Sequence, residues 1–414
     1  MRISLIIVLF VWISATSRLM AQNPYGYELN NGRSRVELSF LNESNLMIVP
    51  IKVNGKGPFN FILDTGSESG MIFDKMIIGE NNLVNARTIP VFAPNGNKIT
   101  DIWIASNIDV DISGVTGADQ SMFVLQENFV DVDNVLGIAA HGILGSEIFN
   151  RFIVEVDYTK MKIWLSKPES FKVPRGYKKF NIQIENSRPY MNVHIKQVKG
   201  KAIDVKLLVD TGASSALFLD AESNEDVVIP ERTIDHVVGR SIGGILSGKV
   251  GRVKRVKFGN FKFRNVITSY PDQWKVSERS KIDENGRQRY GTIGADLFSR
   301  FHVIFDYSRN AVYLKKNKEY KSPFKFNTIG MNVMAYGDNL NVYYINDIIE
   351  DSPAHKIGLL VGDEVIALNG SPAFFYDLTE INSILKQKRG EHLNLIIRRD
   401  GKLLQYHIKH KRLL

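Results

Sequence analysis

Asp64 and Asp210 each open the tripeptide Asp-Thr-Gly, in "FILDTGSES" (Phe61–Ser69) and in "LLVDTGASS" (Leu207–Ser215). Each copy ends an apolar run whose alternating side chains (Phe59, Phe61 and Leu63; Leu207 and Val209) mark a strand that delivers its carboxylate to the edge of a core. A lone carboxylate at such a place is costly, so it must be hydrogen-bonded. The threonine supplies a hydroxyl to hold the loop, and the glycine permits positive φ and close backbone approach. If two related halves bring Asp64 and Asp210 face to face, the pair cannot hold two full charges, and one proton is shared. One carboxylate can then deprotonate a water while its protonated partner donates to a carbonyl oxygen. Such a site needs no metal, nucleophilic side chain or cofactor.

The elements around the two tripeptides repeat. "LGSEIFNRFIVEVDYTKMKIWL" (Leu144–Leu165) aligns without gaps to "IGADLFSRFHVIFDYSRNAVYL" (Ile293–Leu314), with eight of 22 positions identical. The two aspartates lie 146 residues apart and the glycines of these segments, Gly145 and Gly294, 149 apart. Residues 30–318 therefore read as a duplication: one half over 30–165, a connector over 166–180 rich in lysine and proline, and a second half over 181–318. Most segments alternate polar and apolar residues with period two, the pattern of half-buried strands, so the body is expected to be mainly β.

The doubled motif resembles the active-site sequences of aspartic proteases of the pepsin and retropepsin group. The elements Ile143-Leu144-Gly145 and Thr292-Ile293-Gly294 are similar to the apolar-Gly element that packs on the catalytic loop in that family. The resemblance implies two homologous β lobes around a shared cleft, with Asp64 and Asp210 as the catalytic pair. It further implies that Thr65 and Thr211 brace the two loops across the axis, that Ser67 hydrogen-bonds its aspartate, and that Gly66 and Gly212 complete the loops. Flap hairpins are expected near Ala93–Asp101 and Gly239–Gly248. An inactive scaffold that holds peptides is the alternative, which the presence of both aspartates disfavours.

Beyond a charged break at Lys315–Pro323 the pattern changes. In "IEDSPAHKIGLLVGDEVIALNGSPA" (Ile349–Ala373), Asp351-Ser352-Pro353 caps a short helix that Gly358 ends. Gly362-Asp363 makes a turn, Glu364–Leu368 a strand, and Asn369-Gly370 closes a hairpin. Residues 326–412 resemble the PDZ domains attached to bacterial envelope proteases. The resemblance implies a groove that takes an extended peptide, often a protein C-terminus, as an added strand, with walls expected at Leu340–Ile345 and at the helix near Leu378–Leu385.

At the N-terminus, Arg2 and the apolar run Leu5–Ile13 fit a secretory signal peptide over 1–21, shorter than a membrane span. The protein is thus expected to be exported, periplasmic or secreted, with no stable membrane insertion after signal removal. The chain has no cysteine, so folding rests on core packing without disulfides. Its formal net charge of +9 is scattered, without the aromatic interleaving of a nucleic-acid platform, so no nucleic-acid partner is expected. "GRSIG" (Gly239–Gly243) matches a nucleophile elbow but is followed by glycines rather than a helix. The eight histidines form no pair at ligand spacing, and His141 reads as structural.

Overall fold

The computed structural model describes residues 26–79, 82–92, 98–128, 131–221, 225–241, 244–272 and 290–414. The expected signal peptide lies outside the described residues, as do the tips of both expected flap hairpins.

The alternating segments form strands, and the two halves repeat one another over seven strands each, with Gly26–Leu29 an addition to the first. In the first lobe the strand order runs Val115–Leu125, Met71–Ile72, Gly142–Leu144, Lys56–Leu63, Leu46–Val53, Lys98–Ile112, Arg87–Phe92. In the second it runs Phe261–Pro271, Leu217–Leu219, Gly291–Gly294, Ala202–Asp210, Arg188–Lys196, Gly244–Phe258, Ile234–Ser241. Each sheet closes on itself, through Lys98–Ile112 with Val115–Leu125 and through Gly244–Phe258 with Phe261–Pro271. At matching places each lobe carries a parallel pair: Phe61–Leu63 beside Gly142–Leu144, and Leu208–Asp210 beside Thr292–Gly294.

A six-stranded sheet joins the lobes, in the order Lys178–Asn181, Ala311–Lys316, Phe301–Asp306, Ile153–Asp157, Lys162–Ser166, Arg35–Ser39. At its centre Glu155 faces Ile304, flanked by Val154 opposite Phe305 and Val156 opposite Val303. Glu155 and Ile304 occupy the same position of the repeat, so a pseudo-two-fold axis passes between them. The connector is more than a tether, because its ends are strands of this sheet and a 3₁₀ turn, Pro168–Ser170, lies between them. Beneath the sheet, Phe149, Phe298, Phe301 and Phe305 are fully buried in a core continuous with Phe61, Leu63, Leu207 and Val209. Burying one such phenylalanine contributes about 1.5–3 kcal/mol.

The C-terminal unit has its own core and a sheet ordered Met331–Tyr336, Val342–Ile348, Glu364–Leu368, His392–Arg399, Lys402–Lys409. Its local signals act as the sequence suggests. Ser352 accepts the N–H of His355 to cap the helix Pro353–Lys356, and Gly358 stands past its end at φ 78°. Asn369 and Gly370, at φ 49° and 85°, turn the hairpin. The helix Leu378–Leu385 begins with a capping box between Asp377 and Glu380. One expectation is corrected: the strand Val342–Ile348 is paired on both sides and cannot be a groove wall. The outer strand, beside the helix Leu378–Leu385, is Met331–Tyr336. No helix among the described residues is long and apolar enough to cross a membrane.

Candidate active site

The strands Lys56–Leu63 and Ala202–Asp210 deliver Asp64 and Asp210 to one point between the lobes, where each carboxyl group packs against the glycine of the opposite loop. Backbone donors fix both. The N–H of Gly66 donates to Oδ1 of Asp64 at 2.7 Å, and the N–H groups of Gly212 and Ala213 donate to Oδ1 of Asp210 at 2.9 and 3.0 Å. The Gly212 N–H also reaches Oδ1 of Asp64 at 3.0 Å, so one donor serves both carboxyl groups.

Thr65 and Thr211 are fully buried between the loops. Their hydroxyls donate across the axis, Thr65 to Val209 O at 2.7 Å and Thr211 to Leu63 O at 2.9 Å. The glycines are required by space. A Cβ on Gly66 would stand 2.6 Å from Cγ of Asp210, and one on Gly212 2.4 Å from Cγ of Asp64. Neither glycine has positive φ. Of the two reasons for glycine, close approach is the one that operates here.

The apolar-Gly elements buttress the loops. Asp64 N–H donates to Leu144 O at 2.9 Å, and Ser146 and Ala295 N–H donate to Ser67 O and Ala213 O at 3.0 and 2.7 Å. Ser67 departs from expectation: its hydroxyl donates to Ser69 O at 2.8 Å and not to Asp64. Asp64 already accepts two backbone N–H groups, whereas Ser69 O lies within the loop's own turn. His141 is structural, as its Nδ1 accepts the N–H of Asn60 at 3.1 Å. Of "GRSIG", Gly239–Ser241 end the strand Ile234–Ser241, and the next described element is the strand Gly244–Phe258 rather than a helix.

Four contacts had no local signal in the sequence. Arg188 pairs with Glu68 at 2.5 Å across the lobes, and Asn45 Nδ2 donates to Ser214 O at 3.5 Å in the reciprocal direction. Both come from tight turns that precede corresponding strands, Glu43–Leu46 and Glu185–Arg188, but no residue in either turn names its partner in the other lobe. Behind the first loop, Ser146 Oγ donates to Glu68 O at 2.6 Å and Glu147 accepts Gly145 N–H at 3.0 Å.

Electrostatics separate the two aspartates. Burial raises Asp64, an effect offset by the Gly66 N–H, the Asp210 carboxyl, the Gly212 N–H and the Arg188 guanidinium. Asp210 is driven well above the ordinary aspartate range by burial and then by the Asp64 charge, with the N–H groups of Gly212 and Ala213 opposing. The pair therefore keeps a proton to higher pH than free carboxyls would, and its protons belong to the pair rather than to either residue.

Residues 196–297 match the aspartyl protease family model. Residues 344–399 match that of the PDZ domain. Among curated proteins nothing matches the chain. Among solved structures it is similar to an aspartic proteinase from Irpex lacteus, at 13% identity and a TM-score of 0.42, over 70% of this chain and 99% of that one. It is also similar to a photosystem II D1 C-terminal processing protease, at 14% identity and a TM-score of 0.20. That second match spans 20% of this chain and only 23% of the processing protease. An aspartyl protease domain and a PDZ domain thus share one mainly β chain.

Proposed function

We propose that the protein is an exported aspartic endopeptidase in which Asp64 and Asp210 direct water onto a peptide bond, and that the PDZ domain binds a substrate or partner peptide. The reading divides the chain into lobes over 30–165 and 181–318 and a PDZ domain over 326–412. The observation that carries it is the apposition of the two carboxyl groups between the lobes, where one backbone N–H, that of Gly212, serves both.

In the shared-proton state the ionised carboxylate accepts a proton from water as its oxygen attacks the scissile carbonyl carbon, and the protonated partner donates to the carbonyl oxygen. The two carboxyl groups have then exchanged roles. A proton passed to the amide nitrogen lets the C–N bond break, leaving a carboxylic acid and an amine. Backbone N–H groups of Gly66, Gly212 and Ala213 hold both carboxyl groups in place throughout, so little reorganisation is needed as charge moves.

Peptide hydrolysis by the purified protein, measured from acid to neutral pH, tests this. Asp64→Asn and Asp210→Asn should each lose about 10³-fold or more, because the two groups act as a unit. Equal hydrolysis by wild type and both variants would overturn the reading. Export is tested by N-terminal sequencing, since a chain that still begins at Met1 in the cytoplasm excludes signal removal.

A further inference from the structure

An extended peptide joins a PDZ domain by adding to a free strand edge beside a helix. Here that edge is Met331–Tyr336, which pairs only with Val342–Ile348 among the described residues, and the helix is Leu378–Leu385. The slot is not open. The short helix Val132–Leu136 of the first lobe lies directly against Met331–Tyr336. Gly137, which ends that helix at φ 74°, approaches Leu378 so closely that a Cβ on it would stand 2.6 Å from the Leu378 Cβ. One segment, Asp131–Gly137, therefore touches both walls.

One polar contact reaches the segment, and others fasten the PDZ domain to the body around it. Arg240, on the second-lobe hairpin, donates to Asp131 at 3.4 Å and to Met334 Sδ at 3.7 Å. Asp347 of the PDZ domain lies 3.2 Å from Nδ1 of His236 on the same hairpin and accepts from Asn332 at 2.9 Å. Thr379 donates to Glu43 at 2.5 Å.

The segment is also tied to the dyad. Asp133 accepts the N–H of Ala140 at 2.9 Å, and Leu136 packs with Leu46, Ile48, Ile62, Ala140 and Ala295. Immediately beyond runs Gly142–Leu144, whose Leu144 O accepts the N–H of Asp64.

We propose that peptide addition at the Met331–Tyr336 edge and full support of the Asp64 loop exclude each other: a peptide in the PDZ groove displaces Asp131–Gly137 and lowers turnover. This deepens the proteolytic reading and rests on it for its effect on catalysis. By reciprocity, a ligand that tightens the cleft weakens peptide binding at the edge by the same factor.

The test uses the full chain carrying Asp347→Ala and Thr379→Val, which removes two contacts from the PDZ side. In an Asp64→Asn background, hydrogen exchange should speed up together in Met331–Tyr336, Val132–Leu136 and Gly142–Leu144. About fivefold or more is expected from the loss of partly exposed polar pairs. On an array of random ten-residue peptides this protein should retain more peptide than Asp64→Asn alone. Faster exchange confined to the neighbourhood of residues 347 and 379, or equal retention, overturns the displacement. Neither readout needs hydrolysis, so both stand apart from failure of the proteolytic reading. With Asp64 restored, the double variant should lower kcat severalfold with little change in KM, and an unchanged kcat overturns the link to the dyad.

Discussion

The N–H of Thr65 donates to Oγ1 of Thr211 at 3.0 Å, and the N–H of Thr211 donates to Oγ1 of Thr65 at the same distance. With the two hydroxyls passing their protons on to Val209 O and Leu63 O, four hydrogen bonds lie between the lobes, none exposed to solvent. Thr211→Val keeps the volume but strands the N–H of Thr65 and the carbonyl of Leu63. Each stranded buried group costs about 1–3 kcal/mol, so a loss of about 2–6 kcal/mol is expected in urea unfolding. Thr211→Ser should retain most of the stability. If the valine variant matches wild type, these bonds do not hold the lobes together.

Gly212→Ala places a methyl group against the Asp64 carboxyl, and Gly66→Ala does the same to Asp210. In the proposed function the crowded atoms are the reacting groups, and they are fixed by backbone donors, so the carboxyl must turn out of its bonds. A displacement of about 1 Å at reacting atoms costs about 10²-fold in rate. Hydrolysis should fall by at least that factor while far-ultraviolet circular dichroism stays the same. Unimpaired hydrolysis by either variant would mean the dyad tolerates a geometry this packing forbids.

Both aspartates are raised, so the one-proton state of the pair persists above the ordinary aspartate range. The pH profile of kcat/KM should be bell-shaped, with its alkaline limb displaced toward neutrality. Arg188 is among the groups that hold Asp64 down, so Arg188→Leu should move the acid limb to higher pH. An acid limb that stays in place would exclude Arg188 as an influence on the dyad.

The same shifts affect stability. A carboxyl whose folded value is raised holds a proton that the unfolded chain has already lost. Its stabilising contribution is complete at pH below the unfolded aspartate value and is lost as pH rises through the folded one. Asp210→Asn removes that loss, so the variant should melt above wild type at neutral pH. The gap should close as pH falls into the ordinary aspartate range. Thermal melts across this range check the sign, and a variant less stable than wild type at neutral pH contradicts it.

Much of the site was legible because its signals are local and doubled. Asp64 and Asp210 stood out through the repeated tripeptide, and the alignment of Leu144–Leu165 with Ile293–Leu314 carried the pseudo-symmetry now visible at Glu155 and Ile304. Caps and turns such as Ser352 and Asn369-Gly370 were readable for the same reason. Pairings across the lobes were not. Nothing near Arg188 names Glu68, and nothing in Ser67 says that its hydroxyl turns to Ser69. Period-two alternation marks Leu340–Ile345 as strand, yet it cannot tell a strand with two neighbours from one with a single neighbour, which is why the groove wall was misplaced. The glycines were recognised, but whether they serve torsion or clearance depends on the opposite lobe.

The central sheet has a consequence for the isolated halves. Ile153–Asp157 is the inner strand that one half gives to this sheet and Phe301–Asp306 the inner strand of the other, and among the described residues each strand's inner hydrogen-bonding side is covered only by its counterpart. A separated first half would present that uncovered strand to solvent. Because Glu155 already meets the residue of its own rank in the repeat, a second copy of the same half would find a matching register and hydrophobic flanks there. Severed halves would therefore tend to self-associate into symmetric pairs, each with two identical aspartates where the intact chain has an unequal couple.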